Sequence, residues 1–270
     1  MSASDVYCKP SEYKPIDLLA VAAAREVHDG DVVFAGTGLP MLAITLAQHE
    51  QAPNAVCIYE AGSIDGRPTS MPTSVGDARC TNQASIASGL FEAFYGQLHS
   101  GYVDLGFLGG AEIDKYGNVN CTVIGDYNHP KKRFTGSGGN SDIASFAKRT
   151  VYIMVQEKRR FKEHVDYVTS PGWWVKKWPS GEWAPKKEVY GSYFKGGVST
   201  VITDMAVFRF DENGEMYLDT VHPSFTVQDV IDNVGFKLNV SRVRGETLPP
   251  TKAQIDLLYN KIDPEGIFLP

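Results

Sequence analysis

The sequence is short of several features that would have narrowed its class. It has four cysteines, Cys8, Cys57, Cys80 and Cys121, and no two of them stand as Cys-x-x-Cys. That spacing argues against a zinc ribbon or a thioredoxin-type redox motif and reads as reduced thiols in a cytosolic protein. Cys57 lies inside an apolar run and is expected to be buried packing. No stretch reaches the roughly 18 uninterrupted apolar residues of a membrane span. The polar Met1–Glu12 segment lacks the apolar centre of a secretory signal, so no signal peptide is expected. Positive charge is not in excess either: 26 Lys and Arg face 32 Asp and Glu, a formal net charge of −6. That balance argues against a general nucleic-acid binder.

Other chemistries lack their residues. His129 stands three residues after Asp126 and His164 follows Glu163, but neither pair has a third partner at metal-ligand spacing, so no metal site is expected. There is no Gly-x-Ser-x-Gly elbow after a strand. Gly36-Thr37-Gly38 follows an apolar run and opens a helix, yet Met41 stands where a dinucleotide fingerprint needs its third glycine. No P-loop lysine follows. We read the segment as a tight turn at a sheet edge, not as a NAD site.

What is present is an ordinary globular composition, 43% hydrophobic over 270 residues. It fits one α/β domain spanning the chain from 1 to 270, with a sizeable core. Ile16–His28 has apolar residues at helical spacing and stops near Gly30. Val32–Ala35 suits a buried strand, Met41–Gln48 a helix and Ala55–Tyr59 a second strand. Ile86–Leu98 reads as a helix, and Val103–Leu108 and Thr150–Val155 as further strands. This rhythm predicts an open, mostly parallel sheet flanked by helices. Thr200–Phe210 and Glu215–Thr220 flank Asp211-Glu212-Asn213-Gly214, a hairpin signal that adds a C-terminal β-hairpin extension. Helices are expected over Val227–Asn233 and Thr251–Lys261. Between Trp173 and Gly197 the composition shifts to Trp, Lys, Pro and Gly, which predicts an excursion or hairpin whose aromatics need burial or a partner.

Three constellations could carry chemistry. Glu60 ends an apolar strand and is followed by Ala61-Gly62. A carboxylate at the carboxyl end of a strand lies where open α/β sheets place their ligands, and the same position also suits a solvated glutamate. Gly136-Ser137-Gly138-Gly139 could cradle an anion or an oxyanion with its backbone N–H groups, or be a surface turn. Lys131-Lys132-Arg133 and Lys158-Arg159-Arg160 are either solvated charge or contacts for phosphates.

Taken together, ordered blocks from the first strand to Trp173 resemble the class I CoA-transferase family, in the smaller (β) subunits of its glutaconate-type enzymes. The blocks include Gly36-Thr37-Gly38-Leu39-Pro40, Tyr59-Glu60-Ala61-Gly62, Ser74-Val75-Gly76-Asp77, Gly109–Asp114, Tyr116–Asn120, Ile124–Gly139, Glu157–Phe161 and Asp166–Trp173. The resemblance implies an obligate α-subunit partner and a glutamate nucleophile, here Glu60. It further implies that Gly138 and Gly139 line the site near the thioester. Coenzyme A enters as acyl-CoA substrate, with no permanently bound cofactor and no nucleic-acid or membrane partner; the acid is expected to be a dicarboxylate. An acyl-CoA hydrolase, another acyl-CoA-processing enzyme on the same fold, and a non-catalytic partner subunit are the alternatives. Two departures stand out. Ala61 occupies a place where the family often has Ser or Asn, and the segment after Trp173 is unusually aromatic.

Overall fold

The computed structural model describes residues 6–269; Met1–Asp5, the first part of the polar segment considered for a signal, and Pro270 lie outside the described residues. The fold is α/β, with mixed, mostly parallel central strands flanked by helices. The chain divides into two compact units, Met1–Phe107 with Thr247–Pro270, and Leu108–Glu246.

The first unit opens with α1 (Pro15–Ala24), which has Pro at its start and Asp17 accepting the Lys14 N–H at 2.7 Å. Both features favour a helix N-terminus. Leu18 and Ala20–Ala24 are buried. The helix ends before the His28 limit expected from sequence, because Arg25 turns its guanidinium to the Leu248 and Pro249 carbonyls at 2.5 and 2.8 Å. Then follow β1 (Val32–Ala35), α2 (Leu39–His49), β2 (Val56–Tyr59), β3 (Ser63–Ile64), β4 (Ile86–Ala87) and, at the unit's end, β5 (Leu105–Leu108). The order is β5-β1-β2-β3-β4. β1 is parallel to both β2 and β5, whereas β3 and β4 are antiparallel edge strands. Val33, Phe34, Cys57, Ile58 and Leu105 are essentially inaccessible to solvent, which is why near-continuous apolar runs are needed here. Burial pushes the Cys57 thiol up to about 12, so it behaves as packing.

One expectation is corrected in this unit. Ile86–Leu98 is not one helix. Ile86 pairs with Ile64 across the sheet edge, and a helix of wide π geometry begins only at Glu92 and runs to His99. Gly89, with its N–H bonded to the Glu92 carboxylate at 3.1 Å, separates the two.

The second unit is hairpin-rich. β6 (Glu112–Asp114) pairs with β7 (Val119–Asn120), and β8 (Val123–Gly125) with β9 (Pro130–Arg133). β10 (Arg149–Met154) follows a short helix, Asn140–Phe146, and β11 (Phe161–Lys162) adds parallel to β6. β12 (Trp174–Lys176) and β13 (Trp183–Pro185) form the hairpin expected in the Trp-rich excursion. β14 (Gly197–Thr203) lies parallel to β10, and β15 (Ala206–Phe210) and β16 (Met216–Val221) complete the order β16-β15-β14-β10. The apolar run expected as one strand, Thr200–Phe210, is therefore two strands. It folds back at Asp204-Met205 because the Thr203 hydroxyl captures the Met205 and Ala206 N–H groups at 3.2 and 2.9 Å. The next turn is the expected one: Asp211 accepts the Asn213 and Glu215 N–H groups, both at 2.9 Å, and Gly214 supplies φ +76°.

His222 follows β16 and is 2% exposed, with Nε2–H donating to the Thr203 carbonyl at 2.8 Å. Burial lowers its pKa to about 4 from 6.5. Its folded-state value is depressed, so the stability held by the neutral ring is present above the unfolded pKa and lost as pH falls from 6.5 toward 4. Asp114, raised to about 7 by burial, works in the opposite sense: its contribution is present in acid and lost as pH rises through 7. Comparing wild type with His222→Gln cancels Asp114. Between pH 6.5 and 4, denaturant unfolding should show wild type losing up to about 3 kcal/mol relative to the variant. Parallel curves would refute the assignment.

Candidate active site

The register β1–β2 ends on the pair Ala35 and Tyr59. The residues that leave the sheet side by side are therefore Gly36 and Glu60, both at the carboxyl edge of parallel strands. The strand order β5-β1-β2 means that connections leave β1 toward both sides, the arrangement that opens a crevice at this edge in α/β sheets. Glu60 is half-buried, and among the described residues its carboxylate has no hydrogen-bond or ion-pair partner. A carboxylate kept out of any ion pair retains its lone pairs for a ligand.

The turn that carries Glu60 is held from behind. The Gly62 N–H donates to the Tyr59 carbonyl at 2.9 Å. The Gly62 carbonyl in turn accepts the Ser88 N–H at 3.0 Å and the Ser88 hydroxyl at 2.8 Å. Gly62 has φ +108°, and a Cβ there would stand 2.5 Å from the Ser88 carbonyl oxygen. Only glycine fits. Ala61, by contrast, is exposed, so the departure from Ser or Asn at this position removes a donor without disturbing the turn. Ser88 and Gly89 are the residues that inspection of the sequence missed: they stand 26 and 27 positions beyond Gly62, and only the Ser-Gly pair itself marks them.

Beside Glu60 the Gly36-Thr37-Gly38 turn is open. Added Cβ atoms at Gly36 or Gly38 would meet nothing within 4 Å, and Gly38 has φ +93°. The turn ends at the N-terminus of α2, an eleven-residue helix whose positive end faces this edge. The Thr37 hydroxyl accepts the Val75 N–H at 3.2 Å, tying the turn to the Ser74-Val75-Gly76-Asp77 block. Asp77 in that block is structural: it accepts from Arg79 at 2.6 Å and from Thr73, and Arg79 holds its carboxyl far below the usual range.

Gly138 and Gly139 belong to the second unit. Gly138 has φ +50°, and Gly139 caps the seven-residue helix Asn140–Phe146. The Asn140 and Ser141 N–H groups are used inside the loop, donating to the Ser137 carbonyl at 2.9 Å and its hydroxyl at 3.1 Å. Asn140 also donates to the Gly109 carbonyl at 3.0 Å and accepts from Ser170 at 2.5 Å. The loop is thus braced in place.

Several polar motif residues are scaffolding. Glu112, Asp114, Asn118 and Asn120 are at most 1% exposed. Asn118 donates to Asp114 at 3.0 Å and accepts the Gly172 N–H at 2.8 Å. Asn120 donates to Glu112 at 2.7 Å, and Lys162 ion-pairs with Glu112. Buried carboxylates matched in this way fix turns. Of the basic clusters, Arg159 and Arg160 share Glu157 at 2.6 and 3.0 Å, while Lys131–Arg133 is exposed on β9.

The architecture defines an α/β protein with a half-buried glutamate at the carboxyl edge of its parallel strands. A family model described as Coenzyme A transferase matches residues 16–233, and the chain belongs to that family. The β subunit of glutaconate CoA-transferase from Acidaminococcus fermentans is 40% identical over 264 residues, 96% of each chain. The β subunit of 3-oxoadipate CoA-transferase from Pseudomonas knackmussii is 36% identical over 249 residues, 92% of this chain and 93% of that one. The crystal structure of glutaconate coenzyme A-transferase from Acidaminococcus fermentans matches with a TM-score of 0.86 at 38% identity, covering 96% of this chain and 98% of that one. The protein is a CoA-transferase, an enzyme whose substrates are CoA thioesters.

Proposed function

We propose that this chain is the β subunit of a heteromeric CoA-transferase that moves CoA between an acyl-CoA and a free dicarboxylic acid, with Glu60 as the covalent carrier. The observation that carries the reading is the placement of Glu60: an unpaired, half-buried carboxylate, held on a clamped turn beside an open glycine loop and a helix N-terminus.

The steps follow from carboxylate chemistry. A Glu60 oxygen attacks the thioester carbonyl, the C–S bond breaks, and CoA leaves as thiolate from a mixed anhydride. The thiolate then attacks the Glu60 carbonyl carbon and the donor acid leaves as carboxylate, so that CoA is held as a glutamyl thioester. The acceptor carboxylate runs the same two steps in reverse. No proton is gained or lost overall. Backbone donors near the forming oxyanion lower each barrier, and water must be kept from both intermediates. Gly138 and Gly139 are assigned to the lining near the thioester.

Both relatives are β subunits of two-part enzymes, which supports a separate α-subunit partner here. Glutaconate and 3-oxoadipate are both dicarboxylates, which supports that class of acid. The test is intact-mass spectrometry of the chain purified with its co-expressed partner, after incubation with a panel of acyl-CoAs. A CoA-sized adduct on Glu60 that a free dicarboxylic acid discharges is the expected result. Steady release of free CoA with no adduct would instead identify a hydrolase.

A further inference from the structure

The Trp-rich excursion of the second unit encloses a cavity of about 820 Å³ that the chemistry at Glu60 does not use. Its size is that of a small-molecule site. One wall is aromatic and rigid. Trp173 donates its indole N–H to the Val198 carbonyl at 2.8 Å. Its ring fills the space that a Cβ at Gly197 would need, at 3.0 Å, and its own Cβ lies 2.4 Å from where one at Gly214 would stand. Glycines at 197 and 214 are therefore the condition for that indole to lie flat. Trp174, also at the wall, donates to the Asn213 carbonyl at 2.7 Å.

The other wall is cationic. Lys186 is 4% exposed, with its ammonium donating to the Gly196 carbonyl at 2.6 Å and lying 5.7 Å over the Trp173 ring. Among the described residues no carboxylate pairs with it, and its pKa is lowered to about 8 by burial alone. A buried ammonium without a counter-charge is costly unless something anionic comes to it. Lys148, Lys187 and Lys195 are exposed around the same cavity. The one lining carboxylate, Glu212, is already neutralised by Arg242 at 2.9 Å. In a chain of net charge −6 this is a concentrated positive site.

We infer that this cavity binds a nucleoside phosphate, its flat ring against Trp173 and Trp174 and its phosphates on Lys186, Lys187 and Lys195. Two sources share that chemistry: a free nucleotide, and the phosphorylated adenosine end of CoA. The inference stands on the cavity and not on Glu60, so either can fail alone.

The test uses the full chain purified with its co-expressed partner subunit. ADP, adenosine and inorganic pyrophosphate are titrated by calorimetry and by tryptophan fluorescence. ADP should bind at least tenfold more tightly than adenosine or pyrophosphate alone. The double variant Lys187→Ala/Lys195→Ala, which changes only exposed side chains, should weaken ADP binding about tenfold. Lys186→Met, which keeps the buried stem, should weaken it further. If CoA lacking its thiol displaces ADP and weakens equally in the double variant, the ligand is the substrate's nucleotide end. If ADP binds unchanged in its presence, the ligand is a free nucleotide. No ADP binding at millimolar concentration, or an affinity untouched by the double variant, overturns the proposal.

Discussion

Glu60→Gln should abolish CoA transfer, lowering kcat on the order of 10⁴-fold or more, the range seen when a covalent nucleophile is removed. The amide has nearly the same volume as the carboxylate but cannot open the thioester. The turn is held through backbone at Tyr59, Gly62 and Ser88, so the fold does not depend on the Glu60 side chain. The melting temperature should therefore move little, since Glu60 has no ion pair to lose. The same variant should show no CoA adduct in the mass spectrum. Glu60→Asp gives a graded result: the carboxylate survives but is drawn back by one methylene, and displacement on that scale costs about 100-fold. Steady-state kinetics on the co-purified complex decides the matter. Transfer by Glu60→Gln within tenfold of wild type would remove Glu60 from the mechanism and leave the catalytic group on the partner subunit.

Gly62→Ala should be nearly as damaging, by a different route. The new methyl would stand 2.5 Å from the Ser88 oxygen, 2.6 Å from the Ser88 carbonyl carbon and 2.7 Å from the Gly89 carbonyl carbon. All three are backbone atoms, held by the two hydrogen bonds that Ser88 makes to Gly62. A φ of +108° adds strain for any residue with a Cβ. Over-packing and backbone strain together should cost about 2–4 kcal/mol of stability. Relief comes only by moving the Glu60 turn, so kcat should fall about 100-fold even at temperatures where the variant is folded. Ala61→Ser is the matching control: the site is exposed, stability should be unchanged, and any gain in activity would show that the missing side-chain donor matters. A Gly62→Ala enzyme that loses stability but keeps kcat would separate the clamp from catalysis.

Much of the first unit was legible because its signals are short-range. Val56–Tyr59 is an unbroken apolar run ending at a charge, and that pattern names both a buried strand and the residue exposed at its end. Gly38 marks a turn because few other residues accept its φ, and Asn213-Gly214 marks a hairpin for the same reason. The family resemblance likewise lay in the order of such local blocks. These features depend on residues within a few positions of one another, where propensity and side-chain period decide the outcome.

What sequence could not decide involves partners far apart in the chain. The apolar run Thr200–Phe210 carries no turn residue, and only the Thr203 hydroxyl, once placed, breaks it in two. Ile86 had helical neighbours, but Ile64 was waiting across the sheet edge. Glu112, Asp114, Asn118 and Asn120 look like a chemical motif until packing buries them and matches every carboxylate. Gly62 needs to be glycine because Ser88 and Gly89 come back against it, and Gly197 and Gly214 because Trp173 lies on them. The sequence by itself determined the fold class, the strand that ends in Glu60 and the turns. The tertiary structure alone decided which polar groups are spent on each other and which carboxylate and which ammonium are left for a ligand, because that balance is settled only when distant segments pack.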